Sequence, residues 1–153
     1  MAEGSEPILD REIRIAARPE TVFAFFVEPA KLTRWKGIRA TLDPRPGGTF
    51  RLDINGRDIV SGVYLEVAPN RRIVLSWGWE GAASPLPPGS STVEISLTAE
   101  GPETLVRLRH HGLAFGALYD MHASGWDHYL PRLAVAAAGG DPGADPRATA
   151  AQN

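Results

Sequence analysis

The chain of 153 residues has nearly balanced charge, with 16 Lys and Arg against 18 Asp and Glu, and contains no cysteine. This length is typical of one domain with its own core. The lack of cysteine excludes disulfides and thiolate chemistry, and the lack of a basic stripe argues against nucleic acid as a partner. With no apolar signal segment and no stretch of ~20 apolar residues, we expect a cytoplasmic protein without membrane insertion.

The predicted elements begin with a strand and two short helices. Alternating apolar residues over residues 9–16 predict a half-buried strand. Pro29 ends the helix that follows, because the residue before a proline avoids the helical region. A second short helical piece at residues 30–35 is predicted to turn Leu32 and Trp35 inward.

The middle of the chain has the pattern of an antiparallel sheet. Short segments alternate between apolar and polar residues, and turn-forming Gly, Pro and Asn residues separate them. Six strands are predicted, beginning at residue 38 and continuing at 49–54, 58–67, 73–79, 93–97 and 104–111. The loop at residues 80–91 is rich in Gly, Pro and Ser and is long enough to form a functional lip.

A long amphipathic helix is predicted at residues 121–138. Its apolar face follows a spacing of three and four residues and comprises Trp126, Tyr129, Leu130, Leu133 and Ala137. One helix packed across a curved antiparallel sheet can enclose an apolar cavity. Residues 141–153 lack an apolar pattern and are predicted to be a disordered tail, which leaves a single domain at residues 1–140, ordered from about residue 8.

Three parts of the chain carry a family resemblance and together span about residues 13–140. They are IRIAARPETVFAFFVEPAKLTRWKG, PRPGGTFRLDI with SGVYLEVAPNRRIVLSW, and GWDHYLPRLAVAAAG. They resemble the START-like (SRPBCC) superfamily, and within it the stand-alone, bacterial-type homologues of the activator of heat shock protein 90 ATPase. The resemblance implies an α+β helix-grip fold, in which a curved seven-stranded antiparallel sheet wraps around a long C-terminal helix, with two short helices after the first strand. It also implies a deep cavity between sheet and helix.

The resemblance does not select one function, because the superfamily includes carriers, receptors, cyclases and chaperone regulators. We favour non-enzymatic binding of a small hydrophobic or aromatic molecule. The first alternative is an interaction module like the chaperone ATPase activator, although nothing in the sequence corresponds to the second domain of the eukaryotic activator. A polyketide cyclase or aromatase-like enzyme is a weaker alternative. We expect no cofactor, and a monomer or weak homodimer.

The candidate ligand-binding residues are mostly aromatic. Their large flat faces suit an apolar or aromatic ligand, although such side chains also fill cores. The predicted set comprises Phe50, Tyr64, Trp77, Trp79, His110, Trp126, Tyr129 and Leu130.

His110 is the most informative polar residue, because it shares the strand parity of Val106 and Leu108 and should face inward. A neutral imidazole there is able to hydrogen-bond a ligand carbonyl or relay a proton. The alternative, which we favour, is a core histidine satisfied by the backbone or by Tyr64. None of the four His residues has the spacing of a metal ligand set, and no Ser-His-acid constellation can be assembled. Neither metal binding nor catalysis is therefore supported by the sequence.

Overall fold

Seven strands form one antiparallel sheet in a computed structural model that describes residues 7–149. The strands are β1 (Leu9–Ile15), β2 (Arg39–Leu42), β3 (Thr49–Asp53), β4 (Ile59–Ala68), β5 (Arg72–Trp79), β6 (Ser91–Glu100) and β7 (Glu103–His111). The helices are α1 (Pro19–Val27), α2 (Pro29–Leu32), α3 (Ala117–Ala137) and α4 (Pro146–Thr149). Two short helices follow β1 and one long helix follows β7, so the predicted α+β helix-grip architecture is confirmed.

The sheet order is β1-β7-β6-β5-β4-β3-β2, so strands β2 to β7 pair with their neighbours in sequence and β1 closes against β7. In that pairing Leu9 lies opposite His110, and Ile13 lies opposite Val106. A register shift in the pairing of β4 with β5, next to Tyr64, is a β-bulge. A bulge increases local twist and bends the strand, which curves the sheet around α3.

Helix α3 packs its apolar stripe against the sheet. The buried residues of this helix are His122, Trp126, Tyr129, Leu130, Leu133, Ala136 and Ala137. The helix begins four residues before the predicted start at residue 121, because its first turn carries the half-buried Leu118 and Tyr119 ahead of the strongly periodic part. No helix among the described residues is long and apolar enough to cross a membrane.

The segment at residues 141–149, where a disordered tail is predicted, contains α4 and makes polar contacts with α3. The Arg132 guanidinium on α3 donates to the backbone carbonyls of Pro142 at 3.1 Å and Gly143 at 3.0 Å, and α4 follows. These contacts are polar and mostly involve the backbone, so a search for apolar periodicity does not detect them. The rest of the predicted tail, residues 150–153, lies outside the described residues.

Candidate functional site

A cavity of about 560 Å³ lies between the sheet and α3. Four of the predicted ligand-binding residues line it, namely Trp77 and Trp79 from β5 and Trp126 and Tyr129 from α3. The remaining lining residues are Lys36, Ile54, Asn55, Asp58, Ile59, Glu80, Pro85, Met121, His122, Gly125 and Arg147.

The aromatic wall of the cavity is a set of rings that pack on one another. The ring centroids of Trp77 and Trp126 are 5.2 Å apart with a tilt of 47°. Those of Trp77 and Trp79 are 6.2 Å apart and almost perpendicular, at 89°. Tilted and edge-to-face contacts between aromatic rings are favourable, so each ring holds its neighbour in one orientation. The contacts between the rings therefore fix the shape of the wall.

Three other predicted ligand-binding residues belong to the core behind this wall. Phe50 is buried and stacks on Trp77 with centroids 6.0 Å apart, and it borders a separate void of only about 20 Å³. Tyr64 is buried and donates its hydroxyl to the carbonyl of Phe26 at 3.2 Å, and burial raises the pKa of this phenol. Leu130 is a buried core residue on α3. None of the three lines the larger cavity.

His110, the remaining predicted residue, is fully buried and supports the wall from behind. The Trp126 indole N–H donates to its Nδ1 at 3.2 Å, so the ring proton lies on Nε2. That Nε2–H donates to Ser91 Oγ at 2.9 Å, and the Ser91 hydroxyl donates to the carbonyl of Trp77 at 2.8 Å. The histidine is thus satisfied locally, by Ser91 and Trp126 rather than by Tyr64. Burial lowers the pKa of His110 to about 2, which keeps the imidazole neutral.

His122 has a similar role on the cavity wall, which the sequence analysis missed. Its Nε2 accepts the indole N–H of Trp79 at 3.0 Å, and its Nδ1–H donates to the carbonyl of Leu118 at 2.8 Å. Burial lowers the pKa of this imidazole too. The signal was present in the sequence, because His122 lies four residues before Trp126 and so shares its helical face.

Lys36 is the second missed residue, and it is only 6% exposed. Its Nζ lies 3.8 Å from the ring centroid of Tyr129, 5.0 Å from that of Trp126 and 5.6 Å from that of Trp77. Burial lowers the pKa of this amine to about 7. The sequence carried a signal here as well, because Lys36 lies four residues after the buried Leu32 and so continues its inward face.

The charged residues at the cavity mouth have polar partners. Glu80 forms an ion pair with Arg51 at 2.8 Å, and Asp58 accepts a hydrogen bond from the side-chain amide of Asn55 at 2.8 Å. Within residues 7–149, no group of three or more His, Asp and Glu side chains is arranged to hold a metal ion. The site combines flat apolar surface with one buried amine, which is the chemistry of a binding pocket.

Several solved structures are similar to this chain. An AHSA1-like protein from Rhizobium etli is 44% identical, and the alignment covers 92% of this chain and 88% of that chain with a TM-score of 0.73. CalU16 from Micromonospora echinospora is 28% identical over 93% of this chain and 71% of that chain, with a TM-score of 0.69. The Aha1 dimer from Colwellia psychrerythraea, at 18% identity, covers 88% of this chain and 98% of that chain with a TM-score of 0.75, a likeness of fold alone.

No curated protein matches the chain. The family described as "Activator of Hsp90 ATPase homolog 1-like protein" matches residues 16–138, which include strands β2 to β7 and helices α1 to α3 but not β1. The chain therefore belongs to the Activator of Hsp90 ATPase homolog 1-like family, within the START-like (SRPBCC) superfamily.

Proposed function

We propose that this protein binds a small hydrophobic or aromatic molecule in the cavity between the sheet and α3. The observation that carries the proposal is the wall of Trp77, Trp79, Trp126 and Tyr129 around about 560 Å³ of space. Ligand sites commonly have volumes of roughly 300–1,000 Å³ and apolar, aromatic walls. Flat rings on the wall favour a ligand with a flat apolar portion.

The hydrogen bonds behind the wall support the same proposal. The indole N–H groups of Trp79 and Trp126 are occupied by His122 and His110, so these tryptophans offer the ligand their apolar faces. Side chains that are already fixed lose little conformational freedom when a ligand binds. The arrangement therefore lowers the entropic cost of binding an apolar molecule.

A substitution at Gly125 tests the proposal directly, because this residue lines the cavity and has no side chain. A Cβ at this position would meet only the Arg147 Nη1 within 4 Å, at 3.8 Å. The Gly125→Leu variant should therefore fold and extend a side chain toward the cavity. Ala117→Leu, at the exposed start of α3, makes a comparable addition away from the cavity and serves as the control.

The probe is N-phenyl-1-naphthylamine, a neutral aromatic compound whose fluorescence rises in apolar surroundings. We expect saturable binding at one site by the wild type and by Ala117→Leu, and at least tenfold weaker binding by Gly125→Leu with an unchanged far-UV circular dichroism spectrum. If the probe does not bind the wild type, or if Gly125→Leu binds it equally well, the cavity is not the binding site and the proposal fails.

A second candidate function is stimulation of a heat shock protein 90 chaperone, and the family description favours it. The test is the ATP turnover of the cognate chaperone at saturating concentrations of this protein. No stimulation excludes this function. Because the relative from Colwellia psychrerythraea is described as a dimer, light scattering of the same preparation should accompany the assay and decide between a monomer and a homodimer.

A further inference from the structure

We infer that the ligand of this cavity carries an anionic oxygen group, such as a carboxylate or a phenolate, and that Lys36 Nζ binds that group. The inference rests on the proposed function and deepens it, because it adds a charge requirement to an apolar site. The structural basis is the position of one buried amine inside the aromatic wall.

Lys36 Nζ lies inside a box made by Trp77, Trp126 and Tyr129, and the side chain lines the cavity. The aromatic faces attract the cation, but they do not replace a hydrogen-bond acceptor. Among the described residues 7–149, the Nζ atom has no hydrogen bond and no carboxylate within ion-pair distance. A buried cation without a partner is costly, so its retention beside an open cavity indicates that the partner comes from the ligand.

The carboxylate whose charge acts on Lys36 already has hydrogen-bond partners. Asp145, on the segment before α4, accepts the Tyr129 hydroxyl at 2.7 Å, the His128 Nε2 at 2.8 Å and the Arg147 amide at 2.9 Å. Burial alone would raise the pKa of Asp145, but the hydrogen bonds from Tyr129 and His128 lower it, so the group is a carboxylate. Its charge raises the pKa of Lys36 and the charge of Arg147 lowers it, and both effects are smaller than that of burial.

The two histidines near Lys36 do not supply competing charge. His110 and His122 each accept an indole N–H, from Trp126 and Trp79, which requires a neutral ring nitrogen. At the mouth, Arg51 pairs with Glu80, and Asn55 bonds to Asp58. Arg147 also lines the cavity, but its side chain is exposed and its guanidinium donates to Ser124 Oγ at 2.9 Å. An entering anion therefore meets Lys36 as the buried cation of the wall, and the acidic groups Glu80 and Asp58 are already partnered.

Binding of an anion should change the protonation of Lys36. With a pKa of about 7, much of the amine is neutral in the empty cavity at pH 8. An anion against Nζ favours the ammonium form, so the complex should take up about 0.9 proton per ligand at pH 8. A neutral ligand of the same shape should take up no proton at this group.

The experiment compares 2-naphthoate with 2-naphthamide, which have the same ring system and differ in charge. Isothermal titration calorimetry at pH 7.5 measures both affinities for the wild type, Lys36→Met and Lys31→Met. Lys31 and Lys36 are the lysines of the chain, and Lys31 lies on α2 with a partly exposed side chain, so it is the matched control. Titrations at pH 8 in buffers of different ionisation enthalpy measure the proton uptake.

We expect the wild type and Lys31→Met to bind naphthoate at least tenfold more tightly than naphthamide. Lys36→Met should lose this preference, retain its affinity for naphthamide and show no proton uptake. Equal affinity of the wild type for the two probes, or an unchanged preference in Lys36→Met, would overturn the inference while leaving the proposed function intact. If the wild type binds neither probe, the proposed function itself fails.

A second measurement does not depend on the variant. In wild-type protein labelled with ¹³C and ¹⁵N at lysine, the Lys36 signal can be titrated by NMR alone and with each probe. Naphthoate should raise the pKa of Lys36 and naphthamide should not. A Lys36 pKa that is insensitive to naphthoate at saturation would refute contact between the anion and Nζ.

Discussion

Replacing Lys36 with Met should stabilise the ligand-free protein, and the gain should shrink as the pH rises. Methionine has a similar length and an apolar character, so it fills the aromatic box without a buried charge. The pKa of Lys36 falls from 10.5 in the unfolded chain to about 7 in the folded protein. Above pH 10.5 the burial of Lys36 therefore costs the wild type no stability through protonation. As the pH falls from 10.5 toward 7, the unfolded chain binds a proton at Lys36 that the folded protein does not, and the free energy of unfolding decreases.

The magnitude follows from these two values. Each pH unit between them changes the free energy of unfolding by about 1.4 kcal/mol. Between pH 9.5 and pH 7.5, the wild type should lose roughly 2–3 kcal/mol of unfolding free energy relative to Lys36→Met, since the curve flattens near both pKa values. Other titrating groups are common to both proteins, so their contributions cancel in the difference.

Urea denaturation followed by tryptophan fluorescence measures the free energy of unfolding of both proteins at pH 7.5, 8.5 and 9.5. Lys31→Met is the control, because Lys31 lies 3.6 Å from Glu28 with a side chain that is 42% exposed. Its difference from the wild type should stay within about 0.5 kcal/mol at every pH. If the difference in unfolding free energy between Lys36→Met and the wild type also stays constant with pH, Lys36 is hydrated in the folded protein and the reasoning is refuted.

Three further changes test the support of the cavity. His110→Ala leaves the Trp126 indole N–H without its acceptor and should cost about 2–4 kcal/mol of unfolding free energy in urea denaturation. Because the pKa of His110 is lowered, the wild type should lose stability as the pH falls below 6.5, by up to about 1.4 kcal/mol per unit, and this loss should be smaller in His110→Ala. Gly125→Ala should raise stability by about 0.5–1 kcal/mol, and a lower melting temperature would contradict the open space at that position. Arg132→Ala should speed proteolysis within residues 141–149 while the rest of the chain stays resistant; unchanged cleavage would show that its hydrogen bonds do not hold the segment.

Local periodicity was sufficient to predict the strands and the long helix, because most of them have one face in the core, and β5, which is buried on both faces, still carries its large apolar residues at alternate positions. Strand parity also predicted that His110 faces inward. The partners of His110 could not be predicted in the same way, because Ser91 and Trp126 are 19 and 16 residues away in sequence. Only the pairing of strands and the packing of α3 bring these residues together. The closure of β1 against β7 was likewise implied by the family resemblance and not by any local pattern.

The loop after β5 shows that a sequence pattern can predict the role of a segment without predicting the contacts that the segment makes. Its length and composition predicted a lip, and in the structure Leu86 is buried and Pro85 lines the cavity. The loop folds back so closely that a Cβ at Gly78 would overlap the backbone of Pro87. A glycine inside a strand signals such a close approach, but it does not identify the segment that approaches.

Lys36 was missed because a lysine beside a turn is usually a solvated surface residue. Its position four residues after Leu32 predicts an inward side chain, whereas its charge predicts an outward one, and this conflict is itself informative. Sequence rules that agree elsewhere in a protein tend to fail at functional sites, where stability is given up for activity. Because burial lowers the pKa of Lys36, we expect an uncharged side chain there to make the folded protein more stable, and on that expectation packing does not account for the amine. Binding of a complementary charge does explain it, because an anion would turn the costly buried cation into a stabilised pair.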